Sequence, residues 1–166
     1  MSASISIAPP REQVVGVADC KFSNNRNGIL TTYALGSCLG ITFYDKNNYV
    51  AALLHIMLAQ SKGDTAKKPY MYLDEAVPLT LQKLKEAGAN LSSLEIKVFG
   101  GAKVMQADSY FSIGSKNIEA FKEMSAKSKF RVPVWEVGGQ FNRTIKLHLE
   151  NGMVKVRTPG KPEFWL

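Results

Sequence analysis

Reactive side chains are scarce in this chain, whose 166 residues include only two cysteines and two histidines. Two cysteines cannot build the disulfide framework of a small secreted domain, so the composition favours a reducing compartment, and we expect a cytoplasmic protein. Cys20, Cys38, His55 and His148 are widely separated along the chain. Because structural zinc sites use closely spaced ligand pairs, we expect no metal site.

Long apolar segments are also missing. The longest, from Val50 to Leu58, is interrupted by His55 and has the length of a strand, so we expect no membrane insertion. The N-terminus lacks the basic start and apolar stretch of a secretory signal. We interpret residues 1–12 as a flexible leader and residues 13–166 as a single domain.

Basic residues exceed acidic ones, and the net charge of +7 would suit a nucleic acid or an acidic protein surface. The densest basic group falls on and just after a predicted helix, where a solvated helix face is the simpler interpretation; it comprises Lys122, Lys127, Lys129 and Arg131. No nucleic-acid motif accompanies the charge, so we expect no nucleic-acid partner.

Two glycine pairs, Gly100-Gly101 and Gly138-Gly139, each follow a predicted strand. Neither pair matches the phosphate-binding loop of nucleotide hydrolases or the spaced glycines of a dinucleotide site. Tight turns or a close approach of substrate are the better interpretation, and we expect no cofactor.

Strand patterns outnumber helical ones. Asn151-Gly152, between alternating apolar runs, predicts a hairpin from Ile145 to Arg157. Pro133 places its strand near a sheet edge, since proline cannot donate to a central ladder. The other predicted strands cover residues 13–18, 29–33, 39–44, 49–58, 94–99 and 131–137.

Helical periodicity predicts one helix over Leu73–Ala87, with Gly88 at its C-terminal end. Pro78 is tolerated only in a first turn, so this helix is expected to begin near Glu75 or to be kinked. Ser115 is the predicted cap of a second helix. Strands interspersed with two main helices predict the α+β class, in the form of a layered α/β sandwich.

Cys38 is the candidate nucleophile, because it follows Gly36-Ser37 and precedes a predicted strand. A thiol at such a turn can lie at the surface of a cleft, where backbone N–H groups are free to bind an oxyanion. Gly36 lets a substrate approach closely, so Gly36 and Ser37 are the candidate substrate-binding residues. His55 is the candidate base.

Structural roles for these residues remain open from the residues alone. An isolated cysteine is often a small buried apolar residue, and His55 in an apolar strand can be a core histidine bonded to a carbonyl. The Thr32 hydroxyl could orient the imidazole, although most strand threonines have no such role. His148 alternates with apolar neighbours and is expected to face solvent, and Cys20 is interpreted as structural.

Several short motifs in order make the chain resemble the chemoreceptor glutamine deamidases, the CheD family. The nucleophile region carries Thr32-x-x-Leu35-Gly36-Ser37-Cys38, and His55-x-Met57-Leu58 follows it. Further matches are Tyr72-x-Asp74-x-Ala76, Gly100-Gly101-Ala102, Ile113-Gly114-x-x-Asn117 and Gly138-Gly139 with Arg143. The resemblance runs from about Gln13 to Arg157.

This resemblance implies a cytoplasmic hydrolase of linear amides that converts receptor glutamines to glutamate through a cysteine thioester. The family's cysteine, histidine and threonine triad falls on Cys38, His55 and Thr32. The resemblance also implies a CheD-like cysteine deamidase fold. Chemoreceptor cytoplasmic domains are the implied partners, together with a CheC-type phosphatase of the chemotaxis response regulator.

The sequence departs from the family pattern at Tyr33-Ala34, Ala51-Ala52 and Ala59, which could alter the cleft and the choice of substrate. A non-catalytic regulatory module that binds receptors or the phosphatase is therefore the alternative to the deamidase. A nucleic-acid binder rests on charge alone.

Overall fold

The structure, a computed structural model, describes residues 11–63, 68–103 and 112–166. Within them the chain forms two α-helices and ten strands, which belong to two five-stranded sheets. The strands are β1 (Arg11–Val14), β2 (Asp19–Ser23), β3 (Gly28–Leu35), β4 (Leu39–Asp45), β5 (Val50–Ile56), β6 (Glu95–Gly100), β7 (Val134–Val137), β8 (Arg143–His148), β9 (Val154–Arg157) and β10 (Phe164–Trp165). The helices are α1 (Leu73–Glu86) and α2 (Ile113–Ser128), with a 3-10 turn at Leu91–Ser93.

The first sheet, sheet A, has the strand order β1-β3-β8-β9-β10, and the second, sheet B, has the order β2-β5-β4-β6-β7. Both sheets mix parallel and antiparallel pairs: β1 runs parallel to β3, and β6 runs parallel to β7. Two helices on one of two stacked sheets confirm the predicted α+β layered sandwich.

Two apolar cores hold the layers together, and sheet B belongs to both. One core joins its outer face to the helices, through Ile41, Leu54 and Leu84 among others. The second lies between the sheets and joins Leu53 and Phe99 of sheet B to Leu30 of sheet A. Alternating side chains of β5 therefore point to opposite cores, because successive strand residues face opposite sides of a sheet.

The first helix is confirmed, and Gly88 lies just beyond it with φ +95°. The helix begins at Leu73, where its periodicity begins and two residues before the start near Glu75 that Pro78 suggested, and Pro78 lies inside it. The predicted cap of α2 was wrong. Ser112 caps this helix by accepting from the backbone N–H of Ser115, which itself lies in the first turn.

The predicted hairpin is confirmed as the antiparallel pair β8–β9. Its connection is longer than Asn151-Gly152, since the N–H of His148 bonds to the carbonyl of Met153 and the intervening residues form the turn. Leu149, which lies in this connection, is fully buried. The strand that was predicted to contain Pro133 begins one residue later, at Val134. It is an edge strand of sheet B, as expected.

The start of the chain differs from the expectation. Residues 1–10 of the predicted leader lie outside the described residues, but Arg11 and Glu12 already belong to β1, paired with Gly28 and Ile29. The sequence pattern did not indicate β2 or β10. Among the described residues, no helix is long and apolar enough to cross a bilayer.

Candidate active site

The site lies where the edge of the space between the sheets meets the beginning of β4. His55 is on β5, between Leu54 and Ile56, which face the helices, so its ring points to sheet A. Thr32 on β3 faces the same space from the other side. Both side chains are almost completely buried, with 2% of His55 and none of Thr32 exposed.

Thr32 and His55 are in direct contact. The hydroxyl Oγ1 of Thr32 lies 2.7 Å from Nδ1 of His55 and 2.8 Å from the backbone oxygen of Val15. A hydroxyl carries one proton, and a carbonyl oxygen can only accept. Thr32 therefore donates to Val15 and accepts from the Nδ1–H of His55, which fixes the tautomer of the ring.

The other ring nitrogen, Nε2, is consequently an acceptor with a free lone pair. It is buried and makes no hydrogen bond to any described group. Burial lowers the pKa of His55 to about 4, and the carboxylate of Asp19, its neighbour across the β2–β5 pair, raises the pKa by less. The imidazole is neutral at neutral pH.

Cys38 lies one residue before β4 and packs against the core between the sheets, the side that His55 also faces. Gly40 is the residue opposite His55 in the β4–β5 register. Cys38 lies two residues before Gly40, just outside this ladder, and on the side of the sheet that His55 faces. No hydrogen bond joins the Cys38 thiol to Nε2 of His55.

The thiol of Cys38 is half-buried and belongs to no disulfide. Burial raises its pKa, and its own backbone N–H opposes this rise. The thiol and the imidazole are therefore both uncharged in the resting protein. The second thiol, on Cys20, is buried beside the hydroxyl of Thr80, and burial raises its pKa to about 12. This agrees with a structural role for Cys20.

The turn of Gly36, Ser37 and Cys38 is held by the predicted glycine motifs. The N–H of Gly101 donates to the Cys38 oxygen and that of Ala102 to the Gly36 oxygen, both at 2.8 Å. These N–H groups are therefore not free to bind a phosphate, because they already donate to backbone oxygens of the turn.

Gly100 has φ +101°, and a Cβ on it would collide with the carbonyl oxygen of Cys38. Its own oxygen accepts from the N–H of Gly138, and Arg143 donates to the oxygens of Gly100 and Gly138 at 3.4 and 2.8 Å. Glu136 pairs with the Arg143 guanidinium at 3.4 Å. Gly100, Gly138 and Arg143 therefore support the turn that carries Cys38.

The remaining departures from the family pattern lie in different surroundings. Tyr33 and Ala34 are exposed at an irregularity in the β3–β8 pair, and Ala34 has φ +51°. Ala51 and Ala52 are fully buried in the two cores, so they affect packing rather than a cleft. Ala59 lines a cavity of about 640 Å³ between α2 and the segment that joins β5 to α1.

The expectation that His148 faces solvent was wrong. It lies on the outer face of sheet A, but its ring packs edge-on against Trp165, with centroids 4.9 Å apart, and its Nε2 is buried. β10, which the sequence pattern did not indicate, supplies this cover. Among the described residues, no cluster of acidic, cysteine and histidine side chains could hold a metal ion.

Comparison with known proteins agrees with the resemblance. The family model described as CheD chemotactic sensory transduction matches residues 57–158. A relative from Syntrophus aciditrophicus, named probable chemoreceptor glutamine deamidase CheD 1, is 37% identical over 90% of this chain and 95% of its own length. A relative from Pyrococcus horikoshii with the name probable chemoreceptor glutamine deamidase CheD is 37% identical over 91% of this chain and 96% of its own. The chain belongs to the CheD family.

Proposed function

We propose that this protein converts glutamine side chains of chemoreceptors to glutamate, with Cys38 as nucleophile, His55 as proton carrier and Thr32 as the group that orients His55. The reaction and substrate are those in the names of its relatives, which are similar over nearly the whole chain. The single observation that supports the residue assignment is the hydrogen bond that Thr32 accepts from Nδ1–H of His55. This bond leaves Nε2 as a buried, unpartnered base facing the side of the sheet that carries Cys38.

Acylation begins when Sγ of Cys38 attacks the side-chain carbonyl carbon of the glutamine and its proton passes to Nε2 of His55. A new S–C bond forms, and the carbonyl electrons move to oxygen. When the oxyanion collapses, the C–N bond breaks and Nε2–H gives its proton to the departing nitrogen. Ammonia leaves, and a thioester joins the receptor to Cys38.

Hydrolysis reverses the roles. Nε2, now without its proton, takes one from a water molecule that attacks the thioester carbon. The C–S bond then breaks, and the proton returns to the sulfur. The products are the receptor glutamate and the free thiol, so atoms and charge balance over the two steps without any cofactor.

A buried neutral imidazole leaves Nε2 free to accept a proton across the physiological range. Its pKa of about 4 also makes it a weak base toward the thiol, whose own pKa is raised by burial, so the transfer depends on the opposite charge that forms beside the ring. The imidazolium exists only while the thiolate or oxyanion beside it supplies the opposite charge. Thr32 retains the tautomer but offers less stabilisation to the cation than a carboxylate would.

Gly36 and Ser37 are the proposed contacts for the substrate. Both are half-buried, beside Cys38, and their carbonyl oxygens are already bonded to Ala102 and Asn117. The turn is thereby held rigidly while one side stays open. A rigid turn suits a reaction in which the sulfur must meet the carbonyl carbon at a fixed distance.

The test is release of ammonia from a receptor cytoplasmic fragment. Cys38→Ala and His55→Ala are each expected to remain folded and to lose turnover. Cys20→Ala serves as the control, since Cys20 is the other thiol and lies in the core between sheet B and the helices. Wild-type rates in either of the first two variants would refute the assigned roles.

The alternative function is a regulatory module without turnover. The raised pKa of Cys38 and the absence of a bond between its thiol and Nε2 favour it. Receptor binding without ammonia release by the wild-type protein would establish this alternative.

The remaining proposals concern surroundings and partners. We propose that the protein acts in the cytoplasm, where the cytoplasmic domains of receptors would be its substrate. We also propose that residues 13–166 form one domain, because sheet B belongs to both cores, and that Arg11 and Glu12 of β1 belong to this domain as well. A CheC-type phosphatase is the proposed regulatory partner on the basis of family resemblance. Co-elution of the two purified proteins as a complex in size-exclusion chromatography tests that pairing.

A further inference from the structure

Asn117 makes two bonds that link the regions of the nucleophile and the base. It lies in the first half of α2 and is 1% exposed. Its side-chain nitrogen donates to the backbone oxygen of Ser37 at 3.0 Å and to that of Met57 at 2.9 Å. Both hydrogens of the amide are therefore used.

The two carbonyls belong to the residues that continue the strands of the site. Ser37 directly precedes Cys38, and Met57 is two residues beyond His55. The paired register of β4 and β5 ends with Leu39 opposite Ile56. Asn117 therefore joins the segments that flank β4 and β5 just past the last paired residues of these strands.

The helix that carries Asn117 is itself fixed to the turn of Cys38. A Cβ on Gly114 would lie 2.5 Å from the oxygen of Gly101, so only glycine permits this close approach of α2. Gly101 in turn donates its N–H to the oxygen of Cys38 at 2.8 Å. The position of Asn117 relative to Cys38 is thus determined from two directions.

Of the two polar atoms in the Asn117 amide, the nitrogen has partners among the described groups and the oxygen has none. The oxygen Oδ1 of Asn117 is buried and makes no hydrogen bond to any described group. An apolar residue of similar volume would avoid this unsatisfied oxygen but would take from the oxygens of Ser37 and Met57 the donor that Asn117 supplies. The two donated bonds tie Ser37, which precedes Cys38, to Met57, which lies two residues beyond His55.

We propose that Asn117 is a positioning residue, which fixes the turn of Cys38 relative to the end of the strand that carries His55. The proposal rests on the proposed function for its turnover readout, but its effect on Cys38 can be measured without a receptor. Two variants test it. Asn117→Asp replaces the donor by an oxygen facing two carbonyls, and Asn117→Ala removes the amide.

Ser125→Ala is the matched control. Ser125 lies eight residues further along the same helix, is also buried and has an unpartnered hydroxyl, so it shares the face and the burial of Asn117. Since a displacement of about 1 Å can reduce a rate by about a hundredfold, both Asn117 variants should lower kcat by about tenfold to a hundredfold and leave KM almost unchanged. The control should keep both constants.

The second readout is alkylation of Cys38 by iodoacetamide as a function of pH, with each thiol identified by peptide mass. A turn released from Asn117 is better hydrated, so the pKa of Cys38 falls toward its ordinary value and alkylation accelerates. Turnover and thiol reactivity should therefore change in opposite directions. Cys20 should stay unreactive, because its burial reports general unfolding.

The outcomes separate the possibilities. An unchanged kcat and an unchanged Cys38 profile in both variants would overturn the positioning role. Equal acceleration at Cys20 and Cys38 would also overturn it, in favour of a general structural role. If Cys38→Ala still releases ammonia, the proposed function fails, while the alkylation profile still decides whether Asn117 positions Cys38. If Asn117→Asp does not fold, Asn117→Ala decides alone.

Discussion

The hydroxyl of Thr32 and the ring nitrogen Nδ1 of His55 lie 2.7 Å apart between the two sheets, although the residues are 23 positions apart in the chain. The bond from Thr32 to the oxygen of Val15 uses the only hydroxyl proton. His55 must therefore supply the proton of the contact. The carbonyl of Val15, the residue directly after β1, thus determines which nitrogen of the imidazole is free to act as a base.

Thr32→Val should alter the tautomer of His55. Valine keeps the shape of threonine but accepts no hydrogen bond from Nδ1–H. The ring proton is then no longer held on Nδ1, and the tautomer with the proton on Nε2 becomes populated. We expect kcat/KM to fall by about a hundredfold or more, as for triads that lose the orienting group. Nitrogen-15 NMR of the imidazole measures the tautomer directly, and ammonia release measures the rate.

Thr32→Ser is the matched control, because serine retains the hydroxyl and should retain both the tautomer and most of the rate. Thr32→Val also leaves the Val15 oxygen without its donor. An unaltered Nδ1–H signal in Thr32→Val would contradict the assignment.

Stability should decrease as the pH falls through the range in which only the unfolded chain protonates His55. The pKa of this ring is about 4 in the folded protein against 6.5 ordinarily, so the unfolded state binds more protons between these values. The loss begins as the pH falls below about 6.5, and at pH 5 it reaches about 2 kcal/mol from His55. Urea unfolding at pH 7 and pH 5 measures it.

His55→Gln removes this ionisation and should make the two free energies of unfolding more similar. His148 contributes in the same direction, since its pKa is also lowered by burial and by Lys155 and Lys146. His148→Gln is therefore the comparison that separates the two rings. Equal pH dependence in the wild type and His55→Gln would contradict the buried neutral state of His55.

Gly100→Ala should lower both stability and turnover, and the loss of stability should exceed that caused by the positive φ alone. Gly100 and Gly88 have similar φ values, +101° and +95°, but a Cβ on Gly88 would meet nothing within 4 Å. Gly88→Ala should lose about 1–2 kcal/mol of stability and keep its activity. In Gly100→Ala the new methyl group collides with the oxygen of Cys38, so stability falls further and turnover is lost.

Thermal unfolding and ammonia release distinguish these two variants. Full turnover by Gly100→Ala, at the stability of Gly88→Ala, would show that the position of the Cys38 carbonyl is unimportant to the reaction.

The sequence predicted best what local chemistry determines. Gly88 after a helical stripe and Asn151-Gly152 between alternating runs are local signals, and both elements formed. The cap of α2 was misplaced because Ser112 and Ser115 both suit a cap, and only the backbone direction decides between them. β10 is two residues long and is defined by its pairing with β9, so no pattern of its own could indicate it.

The site was only partly predictable for a similar reason. Cys38 and His55 were identified as rare reactive residues, whereas Thr32 gained its role from family resemblance. The contact with Val15, and the bonds of Asn117 to Ser37 and Met57, join segments far apart in sequence. Such contacts depend on how the two sheets and α2 pack, which residue types and spacing do not specify.

The most direct test of the account is interception of the thioester. Hydroxylamine, added while the protein acts on a receptor cytoplasmic fragment, competes with water for an acyl group on sulfur, and mass spectrometry distinguishes the hydroxamate from glutamate at each site. We predict hydroxamate and glutamate at the same glutamines with the wild type and with Cys20→Ala, and neither product with Cys38→Ala. Deamidation by Cys38→Ala at the wild-type rate would contradict the central claim.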